Sequence, residues 1–188
     1  MRIVVAITGA SGAVYGITLL EQLAKHAVET HLILTAAARE IIHLETGRSP
    51  ADLASLATCC YDETDFTAPV ASGSFLHDGM VVAPCSMKTL AGIASGYAAN
   101  LVQRAADVTI KERRRLILLV RETPLSAIHL ENMLKLARLG VVIMPPVPAF
   151  YLGPARLEDV VLGTTGRVLD LLGLPCAPRG RWGDDYRR

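Results

Sequence analysis

Two hydrophobic periods alternate along this chain. Residues 2–8 form an unbroken apolar and β-branched run that stops at Gly9, the pattern of a strand buried on both faces. Residues 14–25 then carry leucine and isoleucine at helical spacing. The same two periods predict strands over 29–35, 58–61, 80–83, 116–120 and 141–144. They predict helices over 36–45, 50–57, 86–95, 100–113, 126–139 and 157–172. Pro145, Pro146 and Pro148 break the chain after the last strand, and a polar tail ends it. Repeated strand–helix units with no internal repeat and no change of composition predict one domain over 1–188. Its expected architecture is a parallel sheet with helices on both faces. Ligands of such sheets bind beyond the carboxyl ends of the strands, so the residues that follow each strand hold the candidate chemistry.

Residues 62–78 show no period. They contain Pro69, Ala71, Ser72, Gly73 and Ser74, but also Phe66, Phe75 and Leu76. So short a segment with three large apolar residues is expected to be a packed functional loop rather than a linker.

Composition narrows the class. The 188 residues are 51% hydrophobic and only 20% charged, and the surplus is expected in a buried sheet and in subunit interfaces. A net charge of +1 offers no bulk attraction to nucleic acid or membrane. No apolar run approaches the roughly 18 residues of a membrane span. The N-terminus lacks the layout of a signal peptide. Cys59, Cys60, Cys85 and Cys176 include no C-x-x-C pair, so a reduced cytoplasmic protein is expected. His43, His77 and His129 have no metal-ligand spacing, and no metal is expected.

The segment after the first strand, Gly9-Ala10-Ser11-Gly12, suits close approach of a ligand to a helix N-terminus. A dinucleotide site would need an acidic residue at the end of the second strand, where Thr35 stands. The chain also lacks a Tyr-x-x-x-Lys pair, which weakens an NAD(P)-dependent reductase further. Tight helix–strand packing explains Gly12 and Gly16 without requiring Ser11. After the strand at 80–83 comes Pro84-Cys85-Ser86-Met87-Lys88-Thr89, where Ser86 is a natural N-cap. This segment reads equally as a phosphate cradle and as a plain capped helix. Cys85 reads as a buried small residue. Arg121-Glu122-Thr123-Pro124 follows the next strand and suits anion binding with proton transfer, or a structural ion pair. Lys111-Glu112-Arg113-Arg114-Arg115 reads as a solvated face from which Lys111 is able to turn inward.

Taken in order, these stretches resemble the UbiX family of flavin prenyltransferases, some of whose members are named after phenolic acid decarboxylases. The resemblance spans essentially the whole chain. It also rests on Leu44-Glu45-Thr46, Ala71-Ser72-Gly73-Ser74, Arg104-Ala105-Ala106-Asp107-Val108, His129-Leu130-Glu131-Asn132-Met133-Leu134, Pro145-Pro146-Val147-Pro148-Ala149-Phe150-Tyr151 and Arg181-Trp182. It implies a Rossmann-like three-layer α/β/α sandwich of about six parallel strands in the order 3-2-1-4-5-6. It implies a metal-independent transfer of the dimethylallyl group from dimethylallyl monophosphate to N5 and C6 of reduced FMN. The products are phosphate and prenylated FMN for a UbiD-type decarboxylase. It implies a homododecamer with active sites between subunits.

Carried over residue by residue, the resemblance assigns FMN binding to Gly9, Ala10, Ser11, Thr35, Ser86, Met87, Lys88, Thr89 and Arg121. Proton relay falls to Ser11 and Glu45. Lys111, Arg121, Tyr151 and Arg167 form the phosphate cage, with Glu122 hydrogen-bonded to the substrate phosphate. Trp182 is a candidate wall for the allylic cation, within a tail of about 173–188 expected at the active site or a subunit interface. The departures are Thr35 where many relatives have serine, Phe66 where relatives often have tryptophan, and the tail from Gly180 to Arg188, which has its own sequence after Trp182. An accessory FMN-binding subunit of a hydroxyarylic acid decarboxylase and a flavin-dependent cysteine decarboxylase stand as competing readings. The cage and the Ser-Met-Lys-Thr loop argue against the second.

Overall fold

The computed structural model describes residues 1–175; Cys176, Trp182 and the rest of the tail from 176 on lie outside them. Six strands form one parallel sheet: β1 (Arg2–Ile7), β2 (Glu29–Leu34), β3 (Cys59–Asp62), β4 (Gly79–Cys85), β5 (Arg115–Val120) and β6 (Val142–Ile143), in the order β3-β2-β1-β4-β5-β6. The order agrees with the one that the resemblance implies. Registers such as Arg2↔Glu29, Ile3↔Gly79 and Gly79↔Arg115 bring the starts of the central strands level. Their carboxyl ends therefore form one rim.

The two-residue period of the strands explains how the layers assemble. Val4, Ala6, Met80, Val82, Leu116, Leu118 and Val120 face one core. There they join Leu90 and Ile93 of α4 (Met87–Ser95), Leu101, Val102 and Ala105 of α5 (Leu101–Lys111), and Met133 and Leu136 of α6 (Ala127–Arg138). Ile3, Val5, Ile7, Val81 and Ala83 point the other way and are fully buried. On that face α1 (Ala13–Lys25) packs across β1, β2 and β4 and touches α2 (Ala36–Thr46). A short α3 (Pro50–Ala54) follows α2, started by a capping box between Ser49 and Asp52.

Backbone contacts divide the chain into two units, 1–145 and 146–188. The first holds the whole sheet. The second contains, among its described residues, a 3₁₀ turn at Phe150–Leu152 and α7 (Leu157–Leu171), whose Val161, Val168 and Leu169 are buried.

Three local expectations need correction. Helix α5 ends at Lys111 rather than 113, because Arg113 adopts φ 55 and the Arg114 amide returns to Thr109 O at 2.9 Å. Strand β4 runs on through Pro84 to Cys85, across a register shift between Val82 and Cys85. The segment 62–78 is packed, but Ala68, Val70 and Phe75 hold it against the core. Phe66 and Leu76 are 49% and 72% exposed.

Gly16 shows why α1 lies so close to the sheet. A Cβ there would run into the Ala83 carbonyl and stand 2.8 Å from Ile7 Cδ1. Helix propensity favours alanine by about 1 kcal/mol, but overpacking against a backbone that cannot yield costs about 1–3 kcal/mol. Gly16→Ala is therefore expected to be destabilising, by up to about 2 kcal/mol net, and to lower the urea midpoint. A variant as stable as the parent contradicts this packing.

Candidate active site

The rim of the sheet is tied together at the point where the strand order reverses, between β1 and β4. Pro84 has no N–H to give the ladder. The Thr8 hydroxyl bridges instead: it donates to Pro84 O at 2.7 Å and accepts from the Ser86 amide at 2.9 Å. The turn into α1 and the turn into α4 are fastened to each other by this one side chain.

Within Gly9-Ala10-Ser11-Gly12 each glycine has its own reason. A Cβ at Gly9 would lie 2.5 Å from Ala37 Cβ, so glycine lets this turn pass close to the start of α2. Gly12 has φ 102, a left-handed backbone that glycine adopts freely, and supplies α1 with no side-chain cap. The missing cap comes from elsewhere. The Glu45 carboxylate, from the last turn of α2, accepts from the Gly12 amide at 2.9 Å and the Ala13 amide at 2.9 Å. The Ser11 side chain stands close enough to it to lower its pKa. Partial burial alone would raise the Glu45 pKa; the Ser11 hydroxyl, the two amides and the nearby Arg121 guanidinium outweigh it and hold the carboxyl below the ordinary glutamate range.

Two further helix N-termini open on the same rim. Thr35, buried, caps α2 by accepting from the Ala38 amide at 3.1 Å. Ser86 caps α4, accepting from the Thr89 amide at 3.3 Å, and donates to the Thr89 hydroxyl at 3.1 Å. The Met87 and Lys88 amides have no acceptor among the described residues. A helix N-terminus with unengaged N–H groups is suited to an anion. Cys85, directly before it, is fully buried, and burial pushes its thiol up to about 12. It is a core residue, as its sequence context suggests.

Arg121 and Glu122 follow β5 and are exposed. They form no ion pair with each other among the described residues. Glu122 accepts instead from the Thr123 amide at 3.0 Å. Arg121 stands near enough to Glu45 and Tyr15 to influence both. Ser11, Glu45, Thr35, the Ser86–Thr89 turn and Arg121 thus share the carboxyl rim.

Lys111 does not share it. It ends α5, four residues before β5 begins, whereas Arg121 follows the last residue of β5. The six residues of β5 separate the two by roughly 20 Å along the strand. Lys111 pairs with Glu112 beside Gly73, at the amino end of the sheet. Tyr151 and Arg167 belong to the second unit: Tyr151 is exposed in its 3₁₀ turn, and Arg167 faces Asp170 at 3.6 Å on α7. Trp182 lies beyond the described residues.

Two rim residues escape sequence reasoning. The Tyr15 ring lies against Gly12, 3.1 Å from where a Cβ would be. The Glu63 carboxylate accepts from the Ala36 amide at 2.6 Å and from Asn100 Nδ2 at 2.7 Å, joining the start of α2 to the cap of α5. Tyr15 follows Gly12 at helical spacing, which is a readable signal. Nothing in the local sequence announces Glu63.

Comparison with known proteins supplies the family. The flavoprotein family model matches residues 1–169. The flavin prenyltransferase LpdB of Lactiplantibacillus plantarum is 52% identical over 185 residues, covering 98% of this chain and 99% of the relative. The structure of a dodecameric FMN-dependent UbiX-like decarboxylase from Escherichia coli O157:H7 superposes with a TM-score of 0.95 at 51% identity, covering 97% of this chain and 99% of that one. A UbiX protein (PadA1) solved in complex with FMN and dimethylallyl pyrophosphate gives a TM-score of 0.95 at 52% identity, covering 97% of each chain. Together with the Ser11–Glu45 pair and the capped helix N-termini on one rim, this similarity makes the chain a member of the UbiX-type flavin prenyltransferases.

Proposed function

We propose that this protein joins the dimethylallyl group of dimethylallyl monophosphate to N5 and C6 of reduced FMN, releasing phosphate. The carrying observation is the Ser11–Glu45 pair beside Arg121, at the switch between β1 and β4. The rim suits a flavin mononucleotide: unengaged amides at Met87 and Lys88 and the hydroxyls of Thr35, Ser86 and Thr89 match the needs of one phosphate. Gly9, Ala10 and Ser11 present backbone along the way. No acidic residue ends β2, so nothing there would grip the ribose of a second nucleotide.

Reduced FMN, when bound, supplies two nucleophilic positions, and a fourth ring closes across them. The chain must do the rest. The carbon–oxygen bond of the donor breaks with its electron pair leaving on phosphate, so positive side chains must receive that charge. Arg121 offers a fixed fork, and Lys111, Tyr151 and Arg167 complete the cage without a metal. Ser11, beside Glu45, relays a proton away from the reacting flavin edge, and Glu122 holds the donor phosphate.

Because Lys111 stands at the opposite end of β5 from Arg121, it serves the site of a neighbouring copy. We read the assembly as a homododecamer, like that of the Escherichia coli relative. Exposed Leu44 on α2 and Ile128, Leu130 and Leu134 on α6 provide apolar surface for such interfaces. The functional unit spans the whole chain, tail included. The product passes to a UbiD-type decarboxylase in the cytoplasm. Among the described residues no helix is long and apolar enough to cross a membrane.

The description of the Escherichia coli relative as a decarboxylase favours a second reading, an accessory FMN subunit. Purified chain given FMN, a reductant and dimethylallyl monophosphate separates the two. A flavin mass increased by one prenyl group supports the transferase; unchanged FMN supports the accessory role.

Three outcomes test the residue assignments. Glu45→Gln is expected to lower the rate of prenyl-FMN formation about 10²–10³-fold while the protein stays folded; an undiminished rate removes Glu45 from the relay. The lowered Glu45 pKa carries a sign. Its stabilising contribution is fully present above the unfolded value near ~4.3 and is lost only as pH falls through the lower folded value. A carboxyl ¹³C resonance of Glu45 should therefore show no titration between about pH 5 and 8. A midpoint inside that window contradicts the hydrogen-bonded geometry. Finally, Lys111→Ala and Arg121→Ala, each inactive alone, are expected to complement when co-expressed, restoring about one quarter of the sites. Failure to complement places both residues in the site of a single copy.

A further inference from the structure

We infer that Arg114, which no part of the rim uses, positions Lys111 for the phosphate of the prenyl donor; this rests on the reading that Lys111 belongs to the phosphate cage. Lysine is a flexible stem with a point charge, so something else must fix where its ammonium waits. The structure offers that support in the loop after β3. Gly73 lies directly under the Lys111–Glu112 pair: a Cβ there would stand 2.7 Å from Lys111 Nζ and would also collide with the Glu112 carboxylate. The pair therefore rests on bare backbone.

Arg114 sets the height of that backbone. It is half-buried, and its two terminal nitrogens donate to Phe75 O at 2.7 Å and Gly73 O at 2.8 Å. A planar fork held at both tips leaves the peptides between Gly73 and Phe75 little freedom. The flanks are anchored independently. Arg104 Nε donates to Ala71 O at 3.0 Å, and Arg2 Nη1 donates to Leu76 O at 2.7 Å with its guanidinium 4.7 Å from the centre of the Phe75 ring. Loss of Arg114 thus loosens the support under Lys111 while the loop stays fastened at both ends. Arg114 makes no hydrogen bond to the pair, although its charge reaches Glu112, and its two bonds go to the backbone beneath it, so it acts as a positioning residue.

The test uses the assembled enzyme carrying oxidised FMN, in which the donor binds without turnover. Calorimetry with dimethylallyl monophosphate is run on Arg114→Ala, Arg114→Lys, Gly73→Ala and Lys111→Ala, alongside steady-state rates with reduced FMN. For Arg114→Ala the donor Kd and KM are expected to rise about tenfold and kcat to fall, with the FMN Kd within about twofold of the parent. Gly73→Ala, which displaces the pair sterically and keeps Arg114, should give the same donor-specific loss. Arg114→Lys keeps one of the two carbonyl bonds and should recover to about threefold; it also serves if the alanine variant does not fold. Unchanged donor affinity in the Arg114 variants, with a loss in Lys111→Ala, overturns the inference alone. Unchanged affinity in Lys111→Ala overturns the cage reading and the inference with it. A parallel loss of FMN affinity, donor affinity and Tm also overturns it, because Arg114 would then be a general structural residue.

Discussion

A single carboxylate holds the active rim in shape. Helix α1 starts at a glycine in a left-handed conformation with no side chain to satisfy its first amides. Glu45 reaches across from the end of α2 and takes two of them, with the Ser11 side chain close beside it. An anion at a helix N-terminus contributes about 0.3–1 kcal/mol, and here the same contact fixes the turn that carries Ser11. The group proposed to relay protons is therefore also the group that shapes its own surroundings. Its depressed pKa follows from that double use, since the amides that need a cap are the ones that stabilise its charge. A neutral glutamine keeps an oxygen for one amide but loses the charge, so shape and chemistry are separable at this position.

The parallel sheet imposes a second constraint. All strands point one way, so every turn into a following helix falls on one rim and every turn out of a helix on the opposite one. Ser11, Thr35, Ser86 and Arg121 collect on the first; Lys111 is confined to the second. No change of side-chain conformation spans roughly 20 Å of strand. A cage containing both Lys111 and Arg121 then requires a second copy of the chain. Oligomerisation becomes a condition of the proposed chemistry, and the high apolar content of the chain and its exposed leucines agree with that demand.

Much of this is legible in the residues. The strands buried on both faces announce themselves as apolar runs, and the helix starts at Thr35, Ser49, Ser86, Asn100 and Ser126 carry capping side chains that the structure uses. Contacts between distant segments are not legible in the same way. Gly9 reads as a glycine for a ligand, and the structure adds a second reason that the local sequence does not show: it clears Ala37. Arg121-Glu122 suits an ion pair, but Glu122 folds back on its own turn. The helical pattern of α5 runs two residues past its true end because arginine is an unusual choice for a left-handed position. Phe66 and Leu76 are the largest apolar side chains available to anchor the loop after β3, along with Phe75. Smaller Ala68 and Val70 join Phe75 at the core instead.

The same loop shows how a basic cluster can be misread. Five consecutive charges from Lys111 to Arg115 suggest a solvated face. Yet Arg114 turns back to two main-chain carbonyls, and Arg104 and Arg2 do the same on either side. Carbonyl groups in a loop without ladder partners need donors, and a guanidinium satisfies two at once without requiring a regular strand. Arginines placed this way turn an irregular segment of small residues into a firm surface. Small residues are then an advantage, since they leave the backbone open for the Lys111–Glu112 pair to lie on it. Firmness at the amino end serves the proposed cage, since a developing phosphate charge is stabilised best by cations already in place.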